Sequence, residues 1–271
     1  MPLLRAALAA AVATVAAAAA SLGADGVDDS SLLQVATSLD QHRASANNCN
    51  CLTWKDVYKS HGVVCGMGQE LLEFGGMVMK PVVGEEFCTK FYEKLSGNFC
   101  TQLHYSTDRK EQWCYVSSQC QALNGGAPLS GTSVSWKQCT AQEDRMLLEM
   151  APSEVLKLAQ AEDKDAGLMI KMAYPLYTAG IKWPDVQATL LGHNGQVDPT
   201  TKSILEGIQA NSTPTIFDSS DGHPPFGVIA GNQIYEVHFS DWFWAMSMAK
   251  KDIWTAPGKI NTYQCVSGCA A

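Results

Sequence analysis

Residues 111–120, EQWCYVSSQC, place two cysteines in a run of aromatic and β-branched residues. The residues around Cys114 read Q-W-C-Y-V, a composition typical of a β-strand. Redox-active cysteines usually form a C-x-x-C pair at the start of a helix, where the helix dipole lowers the pKa of one thiol. Cys114 and Cys120 have neither this spacing nor this context. The stretch therefore predicts cysteines that hold the chain together.

The chain has 10 cysteines, an even number, and most of them lie between Cys49 and Cys139. Such a cluster in an exported chain favours a disulfide framework. We expect all 10 to be oxidised, with Cys265 paired to Cys269. The remaining pairings stay open, because eight cysteines allow on the order of a hundred connectivities. The predicted disulfide residues are Cys49, Cys51, Cys65, Cys88, Cys100, Cys114, Cys120, Cys139, Cys265 and Cys269.

Motifs for metal binding and catalysis are missing from the sequence. Zinc sites usually contain C-x-x-C or H-x-x-x-H pairs, and only the close pairs C-N-C at 49–51 and C-V-S-G-C at 265–269 are present. The G-x-S-x-G, H-E-x-x-H, phosphate-binding and dinucleotide-binding motifs are also absent. We expect no metal and no cofactor. An enzyme is disfavoured but not excluded, because catalytic residues can converge from distant segments.

The N-terminal residues 1–20 have the pattern of a signal peptide. Arg5 precedes an uncharged stretch of Ala, Val, Leu and Thr, and small residues up to Ala20 suit a signal peptidase. This stretch is shorter and less apolar than a membrane span requires. Residues 21–48 are acidic, rich in serine and free of aromatic residues, which predicts a mobile spacer or a pro-segment. We expect a chain that is secreted or enters the lumen of the secretory pathway, with no membrane span after processing.

The chain is acidic, with a formal net charge of −8 and no block of basic residues. Nucleic acids and anionic membrane surfaces are therefore poor partners. We expect the partner to be a protein or a small-molecule ligand.

The order of the sequence patterns predicts two folded parts. Residues 49–139 form a cysteine-rich domain, and residues 140–271 form an α/β C-terminal domain that can be continuous with the first. In the cysteine-rich domain, TWKDVYKSHGVVCGMGQELLEF and GEEFCTKFYEKLSGNFC predict helices. WCYV and TSVSWKQC then predict a hairpin across the turn region LNGGAPLSG.

The C-terminal domain begins with three predicted helices, in PSEVLKLAQAED, DAGLMIKMAYPLY and VDPTTKSILEGIQAN. Asp198 caps the third helix, and Asn211 is expected to end it in a left-handed conformation. TPTIFD, FGVIAG and QIYEVHF predict strands, and Ser240 caps a last helix, DWFWAMSMAKK. The predicted fold class is α+β: a disulfide-rich N-terminal part, a helical segment, and a small C-terminal β-sheet with a terminal helix.

Residues 198–252 run in the order helix, Thr-Pro-Thr, strand, hairpin and helix, which resembles the closing half of a thioredoxin-like domain. In that family a cis proline precedes a strand near the active cysteines. The resemblance implies a local topology and no activity, because no C-x-x-C stands upstream to meet Pro214. The W-C-Y triplet also occurs in modules similar to kringles and fibronectin type II domains, but the cysteine spacings here differ from theirs.

The loop FDSSDGHPPF, residues 217–226, is the best candidate for a site. It brings Asp218, Asp221 and His223 together, and such side chains can bind a cation or polarise a substrate. The alternative is a surface turn rich in Asp and Ser. The loop lacks the spacing and the downstream Glu of an EF-hand. NSTP at 211–214 matches a glycosylation site at Asn211, and the proline after it should leave that site partly or wholly unoccupied.

Two classes of function remain open from the sequence. The favoured class is a binding or structural protein whose cysteine-rich part presents a rigid surface. The alternative is an exported enzyme, either a hydrolase that uses His223 and carboxylates or a divergent thiol oxidoreductase. An enzyme should bury its His and Asp in one concave pocket, whereas a binding protein should show an exposed aromatic patch.

Overall fold

Two four-stranded antiparallel sheets and seven α-helices form residues 48–193 and 198–269, the part of the chain that the computed structural model describes. The predicted α+β class is confirmed. The helices are α1 Trp54–Ser60, α2 Lys80–Gly84, α3 Pro152–Ala161, α4 Ala166–Ala173, α5 Trp183–Leu190, α6 Pro199–Ala210 and α7 Asp241–Met248. The strands are β1 Thr101–Gln102, β2 Gln112–Ser117, β3 Ala127–Pro128, β4 Val134–Gln138, β5 Thr215–Phe217, β6 Phe226–Ala230, β7 Gln233–Phe239 and β8 Asn261–Ser267.

The first sheet has the order β1-β2-β4-β3 and is built around the stretch that contains Cys114. The expected hairpin is present, with β2 antiparallel to β4 and Cys114 opposite Lys137. Five of the six residues of β2 are buried. A strand buried on both faces explains why this stretch is a continuous run of aromatic and β-branched residues rather than an alternating one.

The two long helices expected between Thr53 and Cys100 are replaced by short segments. Only α1 and α2 are α-helical there, and they are accompanied by 3₁₀ turns and a π-helical turn, Glu85–Thr89. Gly66 and Gly75 adopt φ of 96° and 99°, a left-handed backbone that ends a right-handed helix. The apolar spacing in this region reflects packing on the core rather than helical periodicity.

Five disulfides join all 10 cysteines. The pairs are Cys49–Cys120, Cys51–Cys114, Cys65–Cys88, Cys100–Cys139 and Cys265–Cys269. Two of them attach the segment before α1 to β2 and to the turn after it. Disulfides thus restrain the part of the chain that has the least regular secondary structure.

The second sheet has the order β5-β6-β7-β8. Strands β6 and β7 form the expected hairpin, with Ala230 opposite Gln233 across a two-residue turn. Strand β8 was not expected, and it pairs antiparallel with β7. Asp198 caps α6 as predicted and accepts a hydrogen bond from Thr201 N at 2.8 Å. Asn211 ends this helix in an extended conformation (φ −85°, ψ 137°), so the left-handed ending was wrong.

One hydrophobic cluster contains buried residues from both parts of the chain, from Trp54 to Val237. At its centre the Trp54 ring lies edge-on to Trp113, with ring centroids 4.9 Å apart. A smaller cluster around Trp183 lies between α5, α6 and the second sheet. All described residues belong to one compact unit. The predicted signal peptide and residues 21–47 of the spacer lie outside the described residues.

None of the helices in residues 48–193 and 198–269 combines the length and the apolar character needed to cross a bilayer.

Candidate functional site

The loop between β5 and β6 holds Asp221 in a local turn. The Asp221 carboxylate accepts hydrogen bonds from the Ser219 hydroxyl and from His223 N, both at 3.1 Å. The hydrogen bond from His223 N, followed by that from Ser219, holds the pKa of Asp221 below its ordinary value of 3.8. Asp221 and the His223 ring are both exposed. The carboxylate of Asp221 is therefore engaged in shaping its own loop.

Asp218 ties the same loop to helix α4. Lys171 Nζ lies 3.3 Å from Asp218 Oδ1, and both side chains are mostly buried. The same ammonium group lies 4.9 Å from the centre of the Phe226 ring. The main-chain carbonyl of Asp218 accepts a hydrogen bond from Trp183 N at 2.8 Å. The three predicted site residues thus have different surroundings and do not converge on one point.

His223 and Lys171 both line a cleft of about 440 Å³, which we call the aromatic cleft. A volume of this size suits a small molecule. The cleft is lined by Glu86, Tyr105, Asp165, Leu168, Lys171, Gly222, His223, Pro224, Phe226, Phe239, Phe243, Ile253, Trp254, Ile260 and Asn261. The structure therefore places part of the predicted loop at a concave surface that is rich in aromatic side chains.

Helix α7 supplies part of the aromatic wall. Ser240 caps this helix and accepts a hydrogen bond from Phe243 N at 3.0 Å, which fixes the first turn. The Phe243 ring stacks on Phe239 with ring centroids 4.1 Å apart. Neither ring is fully buried. Exposed aromatic faces in a concave site offer a ligand apolar contact without an ordering cost for flexible side chains.

Trp254 stands at another side of the cleft and is 40% exposed. Lys90 Nζ lies 4.2 Å from the centre of the Trp254 ring and 3.6 Å from Glu85 Oε1. The ammonium group therefore occupies one face of the indole ring and is itself paired with a carboxylate.

The polar part of the lining contains Asp165 and Asn261, which are hydrogen-bonded to each other, besides Glu86, Lys171 and His223. Asp165 caps α4 by accepting a hydrogen bond from Leu168 N at 2.8 Å, and its other oxygen accepts one from Asn261 Nδ2 at 2.7 Å. A Cβ atom at Gly167 would lie 2.8 Å from Asn261 Nδ2, so the glycine allows this approach. Asn261 Oδ1 is buried and has no hydrogen-bond partner among the described residues. Such an atom is costly unless a donor reaches it.

Asp165 is also a carboxylic acid whose pKa is shifted by its position in the cleft. Burial, together with the negative charge of Glu86, raises the pKa of Asp165 from its ordinary value of 3.8 to about 6. The hydrogen bonds from Leu168 and Asn261 oppose this rise but do not cancel it. Burial also raises the pKa of Tyr105, with contributions from the charges of Glu86, Asp218 and Asp165. The carboxylates of the cleft therefore influence one another.

Of the three residues predicted from the sequence, His223 lines the cleft and Asp218 and Asp221 do not, and the residues that form most of the lining were missed. Asp165 stands at the start of the predicted helix DAGLMIKMAYPLY, where an N-cap is expected. The capping pattern predicts where the helix begins, but it does not predict that Asp165 lines a cleft. Asn261 lies 96 residues further along the chain. Its strand was not recognised, and no local pattern connects it with Asp165.

A second cleft, of about 490 Å³, lies beside the start of α3 and residues 212–214. Among the described residues of its lining, Glu149 is the only ionisable one and none is aromatic. The second cleft is therefore larger than the aromatic cleft but has fewer side chains that could bind a ligand or react with it. Asn211, near this cleft, is exposed and accepts a hydrogen bond from Thr213 N at 3.2 Å. Its glycosylation stays a prediction.

Four cysteine sulfurs lie within 4.8 Å of one another, those of Cys51, Cys100, Cys114 and Cys139. They belong to two neighbouring disulfides, and Cys51 Sγ is 3.5 Å from Cys100 Sγ. The thiolate is the form of cysteine that binds metals, so these sulfurs are not metal ligands while they are oxidised. We read the group as two disulfides in contact.

No family model, curated protein or solved structure matches the chain.

Proposed function

We propose that the chain is an exported binding protein that holds a small, partly apolar ligand in the aromatic cleft. The observation that carries this proposal is that partly exposed aromatic rings and Asn261, whose Oδ1 atom has no hydrogen-bond partner among the described residues, line one concave surface. Ligand sites are typically built in this way, from apolar walls and a few oriented polar groups.

Export is supported by the disulfides. Five disulfides form readily in an oxidising compartment and are rare in the cytosol. The N-terminal stretch, with its single Arg5 and its run of small apolar residues, agrees with this compartment. Disulfides also keep the walls of a site in place, which lowers the entropic cost of binding.

Binding is favoured over His-based hydrolysis by the surroundings of His223. Its ring has no hydrogen bond to a carboxylate or a hydroxyl in the described residues, whereas a general base is normally oriented by such a partner. Asp221 is engaged in its own turn, and Asp218 is paired with Lys171. The rings of Phe239, Phe243 and Trp254, in contrast, keep exposed surface in the cleft.

The test uses N-phenyl-1-naphthylamine, a neutral apolar dye whose fluorescence rises in apolar sites. We expect saturable binding of one dye per chain, weakened about fivefold or more by Phe243→Ala, because this change removes a wall of the cleft. Met248→Ala is the control: Met248 lies on the same helix, is 79% exposed and does not line the cleft. Absence of saturable binding, or equal binding by Phe243→Ala and the parent, would overturn the proposal.

A second candidate is an exported hydrolase that uses Asp165 as acid or base. It is favoured by one observation, the pKa of Asp165 near 6 in a cleft that also contains Glu86 and His223. Acids tuned in this way serve proton transfer near neutral pH. Chromogenic glycosides and esters test it: turnover that is lost in Asp165→Asn, with folding retained, would favour the hydrolase. No turnover by the parent would exclude these substrate classes.

A further inference from the structure

We infer that the aromatic cleft selects an organic cation, an ammonium or guanidinium group carried on an apolar body, over neutral and anionic molecules of the same shape. This inference rests on the proposed function, since it names the class of ligand that the cleft takes.

The two lysines around the cleft are paired with carboxylates, whereas two carboxylates of the cleft have no ion-pair partner among the described residues. The lysines at its border are both occupied, Lys171 by Asp218 at 3.3 Å and Lys90 by Glu85 at 3.6 Å. The carboxylates of Glu86 and Asp165 form no ion pair with any described residue. A cationic ligand would supply the missing counter-charge, whereas an anionic ligand would meet two carboxylates beside ammonium groups that are already paired.

The hydrogen-bonding groups of the cleft include several acceptors that lack a full set of donors. Asp165 already accepts two hydrogen bonds but keeps further lone pairs, and Glu86 has no hydrogen-bond donor among the described residues. Asn261 Oδ1, a buried atom, is a third acceptor without a donor among the described residues. Of the donors in the lining, Lys171 Nζ and Asn261 Nδ2 are already used within the protein, and the exposed His223 ring is not. A ligand that completes this set must bring donors, and ammonium and guanidinium groups are donors only.

The aromatic walls of the cleft indicate that the cationic group of the ligand is attached to an apolar body. Phe239, Phe243 and Trp254 line the cleft with partly exposed rings, whereas Phe226 lines it from a buried position. Aromatic faces attract cations as well as apolar groups, and the Lys171 ammonium over Phe226 shows that a cation is accommodated at this surface. The volume of about 440 Å³ accepts a ring with a short amine-bearing chain. The carboxylates then fix the charged end, and the rings hold the apolar end.

The test compares three probes of similar shape as competitors of N-phenyl-1-naphthylamine: 2-phenylethylamine, 2-phenylethanol and 3-phenylpropanoate. We expect the amine to displace the dye at a concentration about tenfold lower than the alcohol, and the carboxylate to be the weakest competitor. The preference for the amine should shrink as salt is added, because the charged groups of the cleft are partly exposed. Equal displacement by the amine and the alcohol would overturn the inference, as would a preference for the carboxylate.

Variants of the two carboxylates test whether these side chains cause the preference for the amine. Glu86→Gln, at an exposed position that should not disturb folding, and Asp165→Asn, which keeps an N-cap side chain, should each reduce the preference for the amine about threefold. Glu206→Gln is the control, because Glu206 is an exposed acid on α6 outside the cleft. An unchanged preference in both cleft variants would overturn the inference, and Glu86→Gln decides alone if Asp165→Asn does not fold.

The two proposals fail in distinguishable ways. Loss of dye binding in the parent, or its persistence in Phe243→Ala, contradicts the binding cleft itself. Dye binding that depends on Phe243 but shows no preference among the three probes leaves the cleft intact and contradicts only the choice of a cation.

Discussion

Glu70 is a buried carboxylate that organises the loop after α1. Its Oε1 atom accepts hydrogen bonds from Tyr58 and Tyr115 hydroxyls at 2.8 and 2.7 Å. Its Oε2 atom accepts hydrogen bonds from Gly66 N and Gly68 N at 3.2 and 3.1 Å. Four donors thus converge on one side chain that is 4% exposed. The carboxylate joins the irregular loop to the central strand of the first sheet.

Replacement of Glu70 separates the roles of its shape and its charge. Glu70→Ala leaves four buried donors without an acceptor and should lower the free energy of unfolding by about 3–5 kcal/mol. Glu70→Gln keeps an oxygen for the glycine N–H groups, while its amide can donate to the tyrosine oxygens, and should cost less than about 2 kcal/mol. Urea denaturation of both variants measures these costs. A larger loss for Gln than for Ala would contradict this account of the network.

The same carboxylate predicts a pH dependence. Burial raises the pKa of Glu70 above its ordinary value of 4.5, against the opposing hydrogen bonds. The folded state therefore binds this proton more tightly than the unfolded state, and the free energy of unfolding falls as the pH rises from 4.5 to the folded-state pKa. Glu70→Gln lacks this contribution. Its unfolding energy relative to the parent should improve with pH across that window, and a constant difference would contradict the prediction.

Strand β6 packs its backbone directly against helix α5. A Cβ atom at Gly227 would lie 1.9 Å from Cζ3 of Trp183, a tryptophan that is 1% exposed. The close approach of strand and indole therefore requires a glycine at this position.

A pair of glycine substitutions tests this contact. Gly227→Ala should destabilise the protein by about 3 kcal/mol, because the buried ring cannot move freely. Gly207→Ala, in the interior of α6 with nothing within 4 Å of the new Cβ, should instead stabilise it by about 0.5–1 kcal/mol. Thermal unfolding of the two variants checks the opposite signs. Similar effects at the two positions would show that helix–strand packing does not decide the result.

The elements that the sequence predicted well depend on local signals. Asp198 and Ser240 cap helices as expected, and Gly231 with Asn232 forms the turn of the β6–β7 hairpin. The segment between Thr53 and Cys100 could not be predicted in this way, because its conformation depends on left-handed glycines and on the Glu70 network. Strand β8 was missed for a similar reason, since its polar residues form a strand only when β7 is present as a partner.

The candidate site was predicted only where its residues are close in sequence. The loop with His223 attracted attention because its residues are consecutive. Asp165 and Asn261 meet only in the folded chain, and the buried oxygen of Asn261 is invisible without the structure. The sequence also could not reveal that Lys171 pairs with Asp218, or that Glu86 and Asp165 form no ion pair with any described residue.

The disulfides differ in how much of the chain they close. Cys51–Cys114 spans 63 residues and joins the segment before α1 to the central strand, whereas Cys265–Cys269 spans 4. Loop-closure entropy predicts a loss of about 4 kcal/mol on removing the first and about 2 kcal/mol on removing the second. Double Cys→Ser variants avoid free thiols and allow the comparison by denaturant unfolding. A larger loss of stability on removing Cys265–Cys269 than on removing Cys51–Cys114 would contradict the view that the disulfides of residues 49–139 are the main covalent support of the fold.

The same variants test the thiol oxidoreductase alternative. If Cys51 and Cys114 are structural, the parent protein should not reduce insulin in the presence of a dithiol, and their replacement should lower stability rather than an activity. Cys114 is fully buried, which denies a substrate disulfide direct access to its sulfur. Robust insulin reduction by the parent, with unchanged unfolding of the double variant, would reverse this conclusion.

If the aromatic cleft is the ligand site, as we propose, a ligand mapped on the folded chain should be found there. We predict that 2-phenylethylamine, titrated into ¹⁵N-labelled protein, shifts the amide resonances of residues around the cleft most strongly, among them Leu168, Lys171, His223, Phe243 and Asn261. Shifts concentrated at the second cleft, around Thr213 and Gly231, or scattered over the surface without a cluster would contradict the claim.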